Sequence, residues 1–378
     1  MEHLKRNAHA ALEKWIGKRK VIILTGPRQV GKTTLLKMMF HQKDDTLWLN
    51  ADESPVRDRL SKQSVENLKG VVGKYQWVII DEIQRIANAG LLLKLLADNF
   101  ENAQFFVTGS SALDIADNVF EPLTGRHLLF HLHPLMLREM YPELSSFEIE
   151  QKCDFHLVYG CYPDVHNNPD DAAVLLKNLA SQYLYKDVLA WKDIRKPQLL
   201  EKLLQLLAHQ AGSEVSYSEL AGQLHVKSET VESYIDLLEK SFVVFRLSAM
   251  SNNPRKEVSK MSKIFFWDNG IRNAVIENFN DVSNRTDVGL LWENFVVSER
   301  KKWLAWNQPQ VKSYFWRNYN QSEVDYVEQD DKKIHAYEIK WNSQKKHSVS
   351  RAFINAYPEA SVQIITPRNI SEFSGGHL

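Results

Sequence analysis

The first third of the chain alternates short apolar runs with stretches of helical spacing. Between residues 20 and 135 the apolar and β-branched runs are VIIL at 21, LWLN at 47, WVIID at 77, QFFVTG at 104 and HLLFHLH at 127. Strands that alternate with helices in this way form a parallel sheet through crossover connections. We therefore predict an α/β fold over residues 1–135, built around a parallel sheet.

The remainder of the chain has a different pattern and divides into three further segments. Apolar spacing is mostly helical over 136–197, with breaks at prolines, so this segment is predicted to be a helical lid that follows the sheet. Residues 198–250 run helix, break, helix, turn, helix and strand, which is the order of a winged helix-turn-helix. Residues 258–375 are predicted to form a last, mixed α/β domain.

The segment between the first strand and the first helix of the sheet carries candidate chemistry. VIILTGPRQVGKTTLL matches the GxxxxGK[ST] spacing from Gly26 to Thr33, directly after a strand and at the start of a helix. Glycines in such a loop let successive amide N–H groups approach phosphates closely. We predict that ATP and Mg²⁺ bind here, with Lys32 at the β and γ phosphates and the Thr33 hydroxyl on Mg²⁺. The predicted nucleotide-binding residues are Gly26, Pro27, Arg28, Gln29, Val30, Gly31, Lys32, Thr33 and Thr34.

Two further strand ends supply candidate residues for hydrolysis. The run WVIIDE ends in two acids, at the edge of a parallel sheet where ligands bind. Asp81 is predicted to hold Mg²⁺ through water, and Glu82 is predicted to orient and deprotonate the attacking water. The strand FFVTGSS presents Ser110 and Ser111, of which either is a candidate γ-phosphate sensor or, alternatively, a helix N-cap.

Four segments carry a resemblance to a known family. GPRQVGKTTLL, IIDEIQRI, VTGSSA and LTGRHLLFHLHPL, in this order, resemble AAA-type ATPases of bacteria and archaea that have a C-terminal domain of unknown function, and the resemblance extends over most of the chain. It implies that Arg126, in LTGR, is an arginine finger or sensor, because a guanidinium neutralises charge on the transferred phosphoryl group. Arg126 would act within one subunit or from a neighbour, and we expect a homo-oligomer. The alternative is a structural arginine paired with an acid.

The last domain contains a second set of candidate residues. SEVDYVEQDDKKIHAYEIKW is predicted to form two strands, with Asp325 in the first and Glu338 and Lys340 on one face of the second. The arrangement is similar to the core of restriction-endonuclease-like folds, and Glu293 on an upstream helix resembles the helical acid often found there. Asp325 and Glu338 would form a second Mg²⁺ site, with Lys340 activating water or stabilising a phosphoryl transition state. The alternative is a scaffold that binds DNA or a partner without cutting. The nearby Glu323 has no assigned role.

The charge pattern gives mixed indications about a nucleic-acid partner. The chain has 47 basic and 47 acidic residues, so its overall charge does not indicate DNA. The third helix of the predicted winged helix, residues 228–240, has four outward acids, and this makes it a poor partner for phosphates. These acids are Glu229, Glu232, Asp236 and Glu239, accompanied by Lys227 and Lys240. The following basic run is either a DNA contact or a solvated linker, and it contains Arg255, Lys256, Lys260 and Lys263.

The sequence gives little support to a zinc site or a membrane segment. His127, His131 and His133 share a strand face by their spacing and could hold zinc, but hydrogen-bonded histidines explain the pattern as well. Cys153 and Cys161 have no metal-ligand or redox spacing, and so few cysteines fit a reducing compartment. No uninterrupted apolar run approaches the roughly 18 residues that span a bilayer. We therefore expect a cytoplasmic protein with no membrane partner.

These patterns together predict a Mg²⁺-dependent ATPase whose hydrolysis drives a winged helix and a nuclease-like module on DNA. One alternative is an ATP-controlled signalling or assembly protein, whose C-terminal domain binds a protein partner without cutting DNA. A second alternative is a metal-dependent nuclease that ATP only regulates.

Overall fold

The structure is a computed structural model that describes residues 4–110, 123–182, 197–250, 262–331, 333–344 and 348–375. The chain divides into two compact units. The N-terminal unit comprises Glu2–His133 with Lys240–Phe242, and the C-terminal unit comprises Pro134–Glu239 with Val243–Leu378. Each unit has its own β-sheet, so the units are described separately.

The N-terminal unit is built on a five-stranded parallel sheet with the order β2-β3-β4-β1-β5. The strands are β1 Val21–Thr25, β2 Thr46–Asn50, β3 Trp77–Asp81, β4 Gln104–Gly109 and β5 His127–His131. The helices are α1 Asn7–Glu13, α2 Lys32–Phe40, α3 Ser54–Ser61, α4 Val65–Val72 and α5 Ala89–Asn99. The predicted parallel α/β sheet is thus confirmed, and all five apolar runs are strands.

The central strands are apolar on both faces because helices cover both sides of the sheet. All five residues of β1 are buried, and so are all six of β4. One face packs against the apolar sides of α4 and α5 through residues such as Leu68, Leu92 and Leu93. On α2, Phe40 stacks edge-on against Phe106 of β4, with ring centroids 4.6 Å apart. A sheet buried in this way holds its carboxyl-terminal strand ends in fixed positions.

The loop after β1 lies against the chain that follows β5. Leu132 N donates to Thr25 O at 2.7 Å. Gly26 has φ 150°, and a Cβ atom at this position would lie 2.0 Å from Leu132 O. Glycine is required here because no side chain fits between the two backbones.

The C-terminal unit contains a six-stranded mixed sheet with the order β11-β10-β9-β8-β6-β7. Its strands are β6 Val244–Ala249, β7 Ser262–Phe266, β8 Lys312–Arg317, β9 Glu323–Asp330, β10 Lys333–Ile339 and β11 Ser361–Ile365. Its helices are α6 Leu137–Met140, α7 Ser146–Tyr159, α8 Pro163–Asn167, α9 Ala172–Gln182, α10 Pro197–His209, α11 Tyr217–Leu224, α12 Ser228–Lys240, α13 Asn269–Val275, α14 Val288–Asn307, α15 Arg351–Ala356 and α16 Ile370–Gly375.

The helices that we expected to form a lid pack inside the C-terminal unit. The Asn273 side chain on α13 donates to the carbonyl oxygens of Leu157 at 3.0 Å and Val158 at 2.8 Å, near the end of α7. Cys161 N, after α7, donates to Asp268 Oδ2 at 2.7 Å. These bonds satisfy backbone groups at a helix end and a loop, which explains why α7 stays with α13. A role for these helices as a lid stays a prediction.

The segment predicted to be a winged helix has the expected element order but shares its sheet. Helices α10, α11 and α12 are followed by the antiparallel strands β6 and β7. On its other edge β6 pairs in parallel with β8, where Ser248 is opposite Tyr314. An edge strand carries unpaired backbone groups, and β8 satisfies them. The predicted boundary at 250 therefore does not separate two sheets, and the winged-helix identity stays a prediction.

The last part of the unit contains the predicted pair of strands. Strand β9 pairs antiparallel with both β8 and β10, and β11 pairs in parallel with β10. Helix α14 precedes these strands, and α15 lies between β10 and β11. The likeness to a restriction-endonuclease core stays a prediction. Among the described residues, none of the helices has both the length and the apolar character needed to span a membrane.

Replacing Gly26 by alanine is expected to destabilise the N-terminal unit by about 2 kcal/mol or more, because the new methyl group overlaps Leu132 O. The matched control is Gly70→Ala on α4, where a Cβ meets no atom within 4 Å. This control should stabilise the unit by about 0.5 to 1 kcal/mol. Urea unfolding of the three proteins measures both effects, and equal stability of Gly26→Ala and wild type would contradict the packing described.

Candidate functional site

The loop between β1 and α2 has the backbone of a phosphate-binding loop. Gly31 precedes α2 with φ 91°, and Gln29 has φ 60°, so successive peptide groups turn sharply. Lys32 is only 6% exposed, and its Nζ donates to the carbonyl oxygens of Gly26 at 2.8 Å and Pro27 at 2.7 Å. The lysine ammonium is therefore folded back over the loop, at the edge of the sheet where α2 begins.

The loop meets the end of β3 through a hydroxyl and a carboxylate. Thr33 Oγ1 lies 3.0 Å from Asp81 Oδ1 and 2.9 Å from Asp81 Oδ2. Mg²⁺ prefers oxygen ligands, including hydroxyl and carboxylate oxygens. The Thr33 hydroxyl and the Asp81 carboxylate therefore suit the predicted Mg²⁺ site. Thr33 and Asp81, distant in sequence, are thus brought together as predicted.

Strand β4 lies between β1 and β3 and contributes a residue that the sequence analysis missed. Thr108 is fully buried, and its hydroxyl donates to Asp81 Oδ1. The same hydroxyl accepts a hydrogen bond from Glu82 N at 3.0 Å. Thr108 therefore orients both acids. Thr108 lies in the FFVTGSS segment, in which only the serines were selected as candidate residues.

Glu82 is held by a neighbouring glutamine. Its backbone has φ 56°, a conformation that turns the chain away from β3. Gln84 Nε2 donates to Glu82 Oε2 and, at 3.0 Å, to Ser110 Oγ. The predicted sensor Ser110 is thus linked to the predicted general base through Gln84, which the sequence analysis did not select. Ser111 lies outside the described residues.

Arg126 does not lie at the phosphate-binding loop of its own chain. It directly precedes β5, and its carbonyl oxygen accepts from Val21 N at 3.0 Å, at the first residue of β1. The loop begins at the other end of β1, roughly 16 Å away at about 3.3 Å per strand residue. Arg126 Nε instead contacts Asp98 Oδ1 at 2.5 Å. Of the possibilities left open for Arg126, the structure does not favour action within its own subunit, and the contact with Asp98 agrees with a structural arginine paired with an acid.

The histidines on and after β5 have ordinary partners. His131 Nδ1 lies 2.7 Å from Thr25 Oγ1, and burial lowers the pKa of His131. His127 Nδ1 lies 3.0 Å from Leu123 O. Within the described ranges, no group of three or more His, Cys, Asp and Glu residues is placed to hold a metal ion. Hydrogen bonding accounts for the two histidines that these contacts involve.

The C-terminal unit brings the second set of predicted residues together. Lys340 Nζ contacts Asp325 Oδ2 at 2.9 Å and Glu338 Oε2 at 2.8 Å. Asp325 Oδ2 also accepts from Ile339 N at 2.8 Å. Burial, with the charge of Asp325, raises the pKa of Glu338 to about 7. The predicted acid pair and lysine therefore form one cluster on β9 and at the end of β10.

A second lysine joins this cluster from β7. Lys263 Nζ contacts Glu293 Oε1 at 2.9 Å and Glu323 Oε1 at 2.5 Å, and the lysine side chain is 3% exposed. Burial raises the pKa of Glu293 to about 7, with the charge of Asp325 adding to the effect and Lys263 opposing it. The interpretation of Lys263 as part of a solvated linker is wrong. Arg255, Lys256 and Lys260 lie outside the described residues.

Carboxylate oxygens are common ligands of divalent cations, but two lysines contact the oxygens of this cluster, and its acids are not among the described residues placed to hold a metal ion. Lys340 contacts both predicted Mg²⁺ ligands, and Lys263 contacts Glu293. Binding of an ion by Asp325 and Glu338 would require Lys340 to move away from them. A second Mg²⁺ site here stays a prediction.

Three families match successive parts of the chain. Residues 18–141 match a family described as an AAA domain. Residues 150–282 and 288–376 match two families that are each described as a domain of unknown function, DUF8612 and DUF4143. The N-terminal region is therefore an AAA-type, P-loop ATPase-like domain, and its family and site suggest ATPase activity.

Similar proteins occur in bacteria and archaea. An uncharacterized protein of Mycobacterium tuberculosis is 28% identical over 357 residues, which are 93% of this chain and 77% of the relative. An uncharacterized protein of Methanocaldococcus jannaschii is 27% identical over 321 residues, which are 74% of this chain and 67% of the relative. The similarity to the first protein thus includes both units.

Two of the similar solved structures have low TM-scores. The Pif1 helicase from Candida albicans gives a TM-score of 0.27 at 16% identity, and the match covers 48% of this chain and 48% of the helicase. Drosophila ORC bound to GC-rich DNA and Cdc6 gives a TM-score of 0.27 at 10% identity, with 71% of this chain and 90% of that chain covered. At such TM-scores these similarities carry no argument.

The raised pKa of Glu338 predicts a specific dependence of stability on pH. Its pKa in the folded chain is about 7, above the roughly 4.3 of an exposed glutamate, so the folded state holds the proton more tightly. The contribution of Glu338 to stability should therefore be lost as pH rises from about 4 to 7. In Glu338→Gln the fall in stability should be smaller, because the Glu338 contribution is absent while that of Glu293 remains.

The measurement is the thermal unfolding midpoint of the C-terminal unit at several pH values. The exposed Glu359→Gln variant is the control and should follow wild type. Identical pH dependence in wild type and Glu338→Gln would show that Glu338 titrates normally.

Proposed function

We propose that this chain is a Mg²⁺-dependent ATPase. The observation that carries the proposal is the contact between Thr33 Oγ1 and both carboxylate oxygens of Asp81, at the end of the loop between β1 and α2. A hydroxyl and a carboxylate at this place supply the oxygen ligands of a nucleotide-bound Mg²⁺. The ion would neutralise charge on the phosphates.

The residues around this contact have separate roles in the proposal. The amide groups from Gly26 to Thr34 bind the phosphates, and Lys32 exchanges its contacts with the loop carbonyls for phosphate oxygens. Glu82 accepts a proton from the attacking water. Gln84 holds Glu82 in place, and its buried Oε1 accepts no hydrogen bond from any described residue, so it has capacity to bind that water.

Arg126 fits the proposal as a residue supplied to a neighbouring subunit. It lies at the sheet edge opposite its own loop, and its side chain is 44% exposed. An exposed guanidinium can reach the phosphates of a second copy in a homo-oligomer, where it would stabilise negative charge in the transition state. Its contact with Asp98 would then hold the side chain in place before assembly.

Variants at Lys32 and Glu82 test the ATPase directly. Lys32→Ala should abolish tight ATP binding, because it removes the buried ammonium of the loop. Glu82→Gln should bind ATP normally but lose about a hundredfold or more in turnover, because the amide cannot accept the proton. Lys37→Ala, an exposed lysine on the same helix, is the matched control.

Equilibrium binding of a fluorescent ATP analogue and release of phosphate are the two measurements. Wild-type turnover in either of the site variants would refute the assignment. A loss of binding in Lys37→Ala equal to that in Lys32→Ala would show that the effect is not specific.

We further propose that nucleotide state controls the action of the C-terminal unit on DNA. Two features support this proposal. Three helices followed by an antiparallel strand pair have the order of a winged helix. Asp325, Glu338 and Lys340 form a cluster of the kind that phosphodiester-cleaving enzymes use.

A protein partner is the second candidate, and the surface of α12 favours it. Glu229 and Glu232 are exposed on this helix. Asp236 and Glu239 both pair with Arg246, so the nearby arginine is already neutralised. A helix surface of this charge repels phosphates and suits a basic protein surface.

Steady-state ATP hydrolysis with and without duplex DNA separates the two candidates. The DNA proposal predicts that turnover rises at least threefold with DNA, with Lys32→Ala as the blank. Turnover that does not respond to DNA favours the protein partner. DNA cutting that survives Lys32→Ala but not Glu338→Ala would instead identify a nuclease that ATP only regulates.

A further inference from the structure

Arg6 occupies a rigid position immediately before α1. It is 8% exposed, and its carbonyl oxygen accepts from His9 N at 3.0 Å in the first turn of the helix. Ala8 and Leu12 on α1 are fully buried. After the helix, Gln104 Nε2 on β4 donates to Trp15 O at 2.8 Å. The segment that follows the helix is therefore bound to β4, and Arg6 belongs to the first turn of a helix whose apolar face is buried.

The Arg6 guanidinium connects two distant backbone segments. Nη1 donates to Val30 O at 2.8 Å, inside the phosphate-binding loop. Nη2 donates to His133 O at 2.7 Å, after β5. Hydrogen bonds from a charged donor are short and strong, and these two are buried. Arg6 thus holds the loop against the segment that already contacts Gly26 through Leu132 O.

We propose that Arg6 is a positioning residue for phosphate binding, acting through the Val30–Gly31 peptide group. In a planar trans peptide the C=O and the following N–H point in opposite directions. Arg6 holds Val30 O on the side of the peptide group that faces the guanidinium. The Gly31 N–H then points to the opposite side, where the loop presents its amide groups to phosphate. Gly31 has φ 91°, a region that only glycine enters freely, so this peptide needs an external contact to hold its orientation.

This inference rests on the proposed function, because it assigns to Arg6 a role at the same nucleotide site. It extends that site to a residue that precedes Val30 of the loop by 24 positions. The GxxxxGK[ST] motif does not include this residue. A role in folding alone would lower stability without changing nucleotide affinity at temperatures where the chain stays folded.

The test compares Arg6→Ala, Arg6→Gln and Arg6→Lys with wild type in the full chain. The matched control is Lys5→Ala, which removes a positive charge from the adjacent exposed residue and leaves both hydrogen bonds. The measurements are the Kd of a fluorescent ADP analogue, KM and kcat for ATP, and the unfolding midpoint. We expect Kd and KM to rise about tenfold in Arg6→Ala, which corresponds to one lost charged hydrogen bond.

Further outcomes distinguish positioning from folding. Arg6→Lys, which keeps a charged donor, should lie closer to wild type than the neutral Arg6→Gln, and kcat should fall less than threefold in each variant. Should Arg6→Ala not fold, Arg6→Gln replaces it in the comparison. Unchanged Kd in the folded variants, with only a lower midpoint, would overturn the positioning role. No nucleotide binding by wild type would refute the proposed function, and the role of Arg6 with it.

Discussion

The contact between the Thr33 hydroxyl and the Asp81 carboxylate is the interaction on which the proposed site depends. The two residues lie 48 positions apart, at the start of α2 and the end of β3. They meet because parallel strands present their carboxyl ends at one edge of the sheet. Strand β4 lies between β1 and β3 and brings Thr108 to the same edge, where its hydroxyl fixes Asp81 and Glu82. Strand order thus determines the chemistry of this edge.

The C-terminal unit depends on a different constraint, which is the pairing of buried charges. Helix α14 is buried over most of its length, and four of its five charged residues form ion pairs with other elements or within the helix. Arg300 forms two hydrogen bonds with Glu328 on β9, at 2.7 and 2.8 Å. Glu293 is paired with Lys263 on β7. Buried charges are tolerated only with such partners, so α14 is tied to both halves of the mixed sheet.

Candidate residues of the proposed nucleotide site could be selected from the sequence because they lie in short motifs whose geometry is local. Gly26, Lys32 and Asp81 are examples. Thr108, Gln84 and Arg6 were missed because their roles involve contacts between distant segments, which for Gln84 is the hydrogen bond to Ser110. The position of Arg126 at the opposite edge follows from the register of β1 with β5, which a motif does not contain.

In the C-terminal unit, too, contacts between distant segments could not be predicted from the sequence. The strands of the C-terminal cluster could be predicted from alternation and a polar turn, and Asp325, Glu338 and Lys340 do converge. Lys263 could not be recognised, because a lysine in a basic run is usually solvated, and only the pairing of β6 with β7 and β8 buries it. Sharing of one sheet between the predicted winged helix and the last domain likewise depends on long-range strand pairing.

Thr33 and Asp81 are proposed to form the site for nucleotide-bound Mg²⁺. The most direct measurement is calorimetric binding of ATP to wild type and to Asp81→Asn, each with and without Mg²⁺. Mg²⁺ should strengthen ATP binding to wild type by about tenfold or more, and it should strengthen binding to Asp81→Asn much less. The same response to Mg²⁺ in both proteins, or none in wild type, would contradict the proposed site.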